Sequence, residues 1–357
     1  MRRITISFLM VAAVASAACK KSSPGSGDDD EKQPDAAVMM TGSGSAFEIK
    51  FGPVNVAASI EDTQCIIVNL GNPTPIKVHE MHNMLTVGSH HLIVYKDDMD
   101  TTEQTTPMDC NPFQGALNPT GNIAPLVITQ ELDDDVLLPA GVAYSFNANQ
   151  MIKVELHYIN TSDSAEDIGA DINIYSADPS TIHDEASIMF TGSPDIALQP
   201  GPGTLHQFFT MPDDLDFSQS NFFAVTGHEH HYGTGVEVNL APGSAGPFTP
   251  IYNPTNFVWS EPVTQQQTPP FSVPKGGGFD FTCNWDNTSS AEVDFGESAN
   301  DEMCFFWAYY WPSQGSKICI HTDQDPDAGS DGLSFCCPDA TGSGEAAEFC
   351  TYLDQNF

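Results

Sequence analysis

Six side chains in four short segments carry the chemistry of this sequence. They are the adjacent pair His90-His91, His157 in Glu-Leu-His-Tyr, the alternating pair His228-x-His230, and Met303 inside Asp-Glu-Met-Cys. Three imidazoles suit copper or zinc, whereas two imidazoles with a thioether make a softer site that favours copper cycling through Cu(I). The set reads as two copper sites, and redox chemistry is the expectation.

These ligands need strands to present them. Side chains two apart on a strand share a face, so His228 and His230 converge while Glu229 and His231 point away. Adjacent histidines on a regular strand face opposite sides, so His90 and His91 serve one metal only if the strand ends or bulges there, and Gly88-Ser89 favours such a distortion. In Val154-Glu155-Leu156-His157-Tyr158 the apolar residues share one face and leave His157 beside Glu155 on the other. Met303, Phe305, Trp307 and Tyr309 alternate onto one face of their strand, and Cys304, Phe306, Ala308 and Tyr310 onto the other. Taken alone, a methionine in such a run is core.

The whole chain fits an all-β protein. Its 357 residues match roughly two domains of about 100–200 residues each, and 26 prolines with 28 glycines imply many turns between short segments. Alternating runs from Ala46 to Ile174 form a first series of strands. A Pro- and Gly-containing stretch, 177–202, separates it from a second series between Leu205 and Tyr310. After Pro312 a cysteine-rich tail follows. A net charge of −37, from 11 Lys plus Arg against 48 Asp plus Glu, repels phosphate backbones and excludes nucleic acid as a partner.

Arg2-Arg3, an apolar run from Ile4 to Val14 and the small residues before Cys19 read as an export signal over 1–18. The run is too short to span a membrane. Cys19, followed by Lys20-Lys21 and a Ser/Gly/Asp-rich stretch, resembles a bacterial lipoprotein processing site. The expectation is a lipidated flexible linker over 19–46 and an outer-membrane, periplasmic or cell-surface location, with simple secretion as the alternative. Eight further cysteines in an exported chain favour disulfides. Asp323-x-Asp325-x-Asp327-x-Gly329 lacks the Gly and distal Glu of a calcium loop and reads as a solvated acidic loop. His79, His82, His183, His206, His231 and His321 are assigned structural or surface roles.

The segments His90-His91-Leu92-Ile93-Val94-Tyr95, Glu155-Leu156-His157-Tyr158, His228-Glu229-His230-His231-Tyr232-Gly233 and Asp301-Glu302-Met303-Cys304, in this order, resemble the type II copper, ascorbate-dependent monooxygenases. This is the family of peptidylglycine alpha-hydroxylating and dopamine beta-monooxygenases. The resemblance spans roughly residues 47–312. It implies two tandem jelly-roll-like antiparallel β-sandwiches: 47–185, with an electron-storing copper on His90, His91 and His157, and 186–312, with an oxygen-activating copper on His228, His230 and Met303. The latter three are then the catalytic ligands. It further implies two copper ions per chain, O2 as co-substrate and ascorbate or a similar reductant. Cys283 and Cys304 match a disulfide pair of the family, Cys65 with Cys110 is the staple proposed for the first domain, and the pairing of Cys319, Cys336, Cys337 and Cys350 in the 313–357 tail stays open.

The departures redirect the substrate. Where peptide-hydroxylating members carry an arginine and polar residues, this chain has Thr226, Phe305 and Trp307. A carboxylate clamp is missing, and Phe305 and Trp307 make the expected pocket aromatic, for a small hydrophobic or aromatic molecule. The expected enzyme is a monomer that touches a membrane only through its lipid anchor. The alternatives are an exported copper-binding or copper-buffering lipoprotein without a productive pocket, and a β-sandwich adhesion module with incidental histidines.

Overall fold

Short, strongly apolar runs separated by Pro- and Gly-rich turns can bury their backbone only by pairing with one another, and the protein is all-β. A computed structural model of the chain describes residues 46–113, 122–324, 332–338 and 350. The export signal, Cys19, the linker up to residue 45 and the acidic loop beyond residue 324 lie outside the described residues. No helix among the described residues is long and apolar enough to cross a membrane.

The first strands are β1 (Ala46–Val56), β2 (Glu61–Asn69), β3 (Ile76–Leu85), β4 (Ser89–Asp97), β5 (Gln104–Asp109) and β6 (Ile123–Thr129). They continue with β7 (Asp133–Leu137), β8 (Val142–Phe146), β9 (Met151–Ile159), β10 (Glu166–Ala177) and β11 (Asp184–Glu185). Next come β12 (Ser187–Gly192), β13 (Ala197–Leu198), β14 (Gly201–Thr210), β15 (Asn221–His228), β16 (Gly233–Ala241) and β17 (Thr249–Tyr252). The last are β18 (Gln265–Phe271), β19 (Gly278–Asn287), β20 (Val293–Asp294), β21 (Phe305–Trp311), β22 (Lys317–Thr322) and β23 (Leu333–Cys337).

Four principal sheets result. Sheet 1 runs β1-β10-β3-β8-β11, with β7 also paired to β3, and sheet 2 runs β5-β2-β9-β4-β6. Sheet 3 runs β18-β15-β21-β12-β22-β23 and sheet 4 runs β14-β19-β16-β17. The cysteine-rich segment after Pro312 is not without pattern, because β22 and β23 extend sheet 3 and carry Ile318, Ile320 and Phe335 into the core. Strand β12 likewise lies inside the 177–202 stretch, with both faces buried, so it lacks the alternation that marks a half-exposed strand.

Sheet 3 is the element that organises the molecule. Met303, Phe305, Trp307 and Tyr309 join the core shared with sheets 1 and 2, whereas Cys304, Phe306, Ala308 and Tyr310 join the core shared with sheet 4. The alternation read along this segment is therefore the alternation of two cores on opposite faces of one sheet. Sheet 2 is also covered on both sides: the Tyr309 hydroxyl donates to the Ile128 carbonyl at 3.1 Å and accepts from the Ile128 amide at 3.0 Å, which ties β21 to β6. The disulfides are Cys65–Cys110, Cys283–Cys304, Cys319–Cys336 and Cys337–Cys350.

Candidate metal centre

The side chains expected to hold metal gather where sheet 2 faces sheet 3. Strands β4 and β9 pair antiparallel so that His91 lies opposite His157, and a register shift falls between Ser89 and His91. That bulge turns the adjacent His90 and His91 toward the same neighbour, which regular alternation forbids. The ring centroids lie 5.4 Å apart for His90 and His91, 5.2 Å for His90 and His157, and 4.9 Å for His91 and His157. A ligand atom from each of the three falls within 4.8 Å of the others, a spacing that suits one ion.

His228 ends β15 and His230 lies just beyond it, with ring centroids 5.0 Å apart. Gly227 before them has no room for a side chain, since a Cβ there would sit 2.7 Å from both Tyr252 and Val236. Met303 precedes β21, whose Phe305 pairs with His228, and its side chain belongs to the core on the sheet 2 side. The His228 ring points the same way, because its Nδ1 meets Gln130 Oε1 at 2.8 Å. The two ligand sets adjoin: the His90 ring lies 6.0 Å from His228 and 5.9 Å from His230.

The ring nitrogens decide whether these residues fit a metal. None of the five histidines is more than 4% exposed. Both ring nitrogens of His90, of His91 and of His230, and Nε2 of His228, are buried without a hydrogen-bond partner. Each buried orphan of this kind costs about 1–3 kcal/mol, so a chain does not accumulate them in one place without a compensating ligand. Burial, reinforced by the neighbouring imidazoles, holds His90, His91 and His228 well below the usual histidine range and lowers His230 to about 3. Neutral imidazole is the form that binds metal.

Residues 186–327 match the C-terminal domain of the copper type II ascorbate-dependent monooxygenases. That segment contains His228, His230 and Met303, and this family uses copper and ascorbate. No curated protein matches the chain. Solved structures similar to it include the major capsid protein P2 of bacteriophage PM2, at 10% identity and a TM-score of 0.32, covering 76% of this chain and 99% of that one. They also include the infectious bursal disease virus VP2 subviral particle, at 8% identity and a TM-score of 0.18, covering 75% and 71%. Neither likeness carries an argument about this chain.

Around the candidate ligands stand carboxylates and an amide that spacing along the chain does not reveal. His157 Nε2 lies 3.1 Å from Glu61 Oε1, and Glu61 also accepts from the Ala299 amide at 2.8 Å and the Ser298 hydroxyl at 3.2 Å. Its pairing with His157 holds the Glu61 carboxyl down at about 2. With Nε2 engaged, Nδ1 is the donor that His157 offers to a metal. Glu155 accepts from the Tyr95 hydroxyl at 2.9 Å and the Phe113 amide at 2.7 Å, and burial raises it to about 7.

Glu302, next to Met303, accepts from the backbone amides of His230 at 2.9 Å and Tyr232 at 2.7 Å and from Trp285 Nε1 at 2.9 Å. Burial raises it to about 7. Glu229 turns away from the ligands and accepts from the amides of Asn284 at 2.9 Å and Gly235 at 3.1 Å. The sequence signal for Glu302 was its place inside the Asp-Glu-Met-Cys segment. Glu61 and Gln130 gave no such signal, because their partners lie far away in the chain.

Aromatic rings close the remaining sides. Trp307 lies 5.9 Å from His228, Phe305 stacks on Phe190 at 4.9 Å, and Phe113 lies 4.7 Å from His91. Trp259 lies 5.3 Å from His90 and 5.7 Å from His231. Thr226 bonds the Thr264 hydroxyl at 2.8 Å. The other histidines find ordinary partners: His79 with the Tyr175 carbonyl, His82 with Asp133, His206 with Asp280 and His321 with Ser334. His231 stacks on Tyr232, and exposed His183 stands against Gly141.

Proposed function

We propose that this chain is a copper-dependent monooxygenase that hydroxylates a C–H bond of a small hydrophobic or aromatic substrate with O2 and a reductant such as ascorbate. The supporting observation is the set of buried, unpartnered imidazole nitrogens from two facing sheets, with Met303 on the same face. In this reading residues 47–185 supply the electron-storing site on His90, His91 and His157, and residues 186–312 supply the oxygen-activating site on His228, His230 and Met303. Copper bound there supplies oxygen activation and one-electron transfer, which no side chain provides.

The chain's own groups do the positioning. Gln130 Oε1 accepts from His228 Nδ1, which leaves Nε2 with its lone pair toward the site. Glu61 fixes the His157 ring, and Glu302 fixes the backbone between His230 and Met303. Phe305, Trp307 and Phe190 line this side with apolar surface, which excludes water and favours an apolar substrate. Thr226, Phe305 and Trp307 offer no cation to a substrate carboxylate.

The test is to load the purified protein with copper and measure ascorbate-dependent O2 uptake with and without a panel of hydrophobic C–H donors. Product formation coupled to uptake supports the enzyme. Two bound copper ions with no donor-dependent uptake overturn it in favour of the exported copper-buffering reading.

A further inference from the structure

Of the four tryptophans, Trp285, Trp307 and Trp311 pack into or against the two apolar cores, whereas Trp259 joins neither. Its ring lies instead against two imidazoles, 5.3 Å from His90 and 5.7 Å from His231. A large apolar ring set on histidines outside either core serves the site rather than the fold. Exposure rises outward through this stack. His90 is 2% exposed, Trp259 is half-buried and His231 is exposed, so the indole is the outer cover of His90.

Trp259 is carried by 253–264, the stretch from β17 in sheet 4 to β18 in sheet 3, so it reaches His90 on sheet 2 from the opposite sheet pair. Both ends of the stretch are fixed. The Asn253 amide donates to Gln265 Oε1 at 3.3 Å, and the Thr264 amide donates to Glu131 Oε1 at 3.0 Å. Phe257 packs against the core of sheets 3 and 4, and Pro262 is buried. Between these two roots, 258–261 form a turn closed by the Glu261 amide on the Val258 carbonyl at 3.0 Å, with Trp259 and Ser260 at its tip. Val258 is 50% exposed and Glu261 is also exposed. A short turn rooted on both sides, with little buried surface of its own, opens at low cost and leaves the strands in place.

We propose that this turn is a gate to the metal centre and that Trp259, resting on His90, is the residue that determines which molecules reach the imidazoles. With the indole in place a solute coming from this side meets the ring; when the turn swings outward, His90 is open to it. The barrier is read from the rings and the loop alone, and it rests on the proposed function only for what passes through.

The test is carbethoxylation of histidines by diethyl pyrocarbonate on the full-length, metal-free protein, with the rate at each histidine read by tandem mass spectrometry. In the wild type His90 should react far more slowly than exposed His183. Trp259→Ala should raise the His90 rate roughly tenfold or more, while Trp259→Phe, which keeps a planar ring, stays close to wild type. His321, equally buried but on β22, should remain protected in every variant. An unchanged His90 rate in Trp259→Ala overturns the gate, as does an equal acceleration at His321, which reports general loosening. In the copper-loaded protein Trp259→Ala should shift kcat/KM from ethylbenzene toward the bulkier 4-ethylbiphenyl, and an unchanged preference overturns the part of Trp259 in selection. Faster modification of His90 in a protein that turns over neither donor supports the gate and counts against the monooxygenase reading.

Discussion

At the scale of single residues, the candidate ligands are visible in the sequence because their spacing is local, and the groups that contact them are not. His228-x-His230 and the bulge before His91 follow from strand periodicity, whereas Gln130 reaches His228 and Glu61 reaches His157 only through the fold. Met303→Ile conserves volume but removes the sulfur. Copper per chain should fall from two toward one, with turnover reduced at least a hundredfold and the three-imidazole site still filled, as read by metal analysis and ascorbate-driven product formation. Glu302→Ala leaves the amides of His230 and Tyr232 and the Trp285 ring N–H without their acceptor. Denaturant titration should show a loss on the order of 2–4 kcal/mol, at about 1–3 kcal/mol per orphaned group with partial relaxation. Since the His90 ring lies 6.0 Å from His228 and 5.9 Å from His230, two Cu(II) ions should broaden one another's paramagnetic resonance spectrum. His228→Ala should restore a narrow single-site signal, and an unbroadened two-copper spectrum would show the sites to be farther apart than the rings are.

At the scale of elements, the strands carrying long apolar runs were legible, even where both faces are buried, and the short strands in Pro-, Gly- or Cys-rich stretches were not. Strand β15 was visible to the residue, while β12 and β22 are six-residue strands buried on both faces, with polar Ser187, Thr191, Lys317 and His321 inside, so polarity does not report exposure there. The disulfide Cys283–Cys304 ties β19 to the residue that follows Met303, across a sequence separation of 21. Replacing both cysteines by serine should cost about 3 kcal/mol by the loop-closure argument. The variant should also bind copper more weakly at the Met303 site than at the other, which metal titration followed by resonance spectroscopy would reveal. On β7, burial raises Asp134, only 8% exposed, to about 6. The folded state therefore prefers the protonated acid, and stability declines as pH rises from about 4 through 6, by on the order of 2–3 kcal/mol. Asp134→Asn should raise the thermal midpoint at pH 7.5, and the gain should vanish at pH 4. A gain independent of pH would reject the assignment.

At the scale of the whole molecule, the all-β architecture followed from turn density and alternation. The face-to-face arrangement of sheets 2 and 3 did not, because nothing local says which two of four sheets will meet. Among the polar links between the two sides, Glu61 is one that looks both ways. It holds the imidazole of His157 on its own side and receives the Ala299 amide and Ser298 hydroxyl from the opposite side. A latch of that kind makes passage and chemistry inseparable. Any parting of the walls that pulls the 298–300 turn away from Glu61 removes two of the donors that hold its carboxylate beside His157, so opening the walls and placing one candidate metal ligand are coupled.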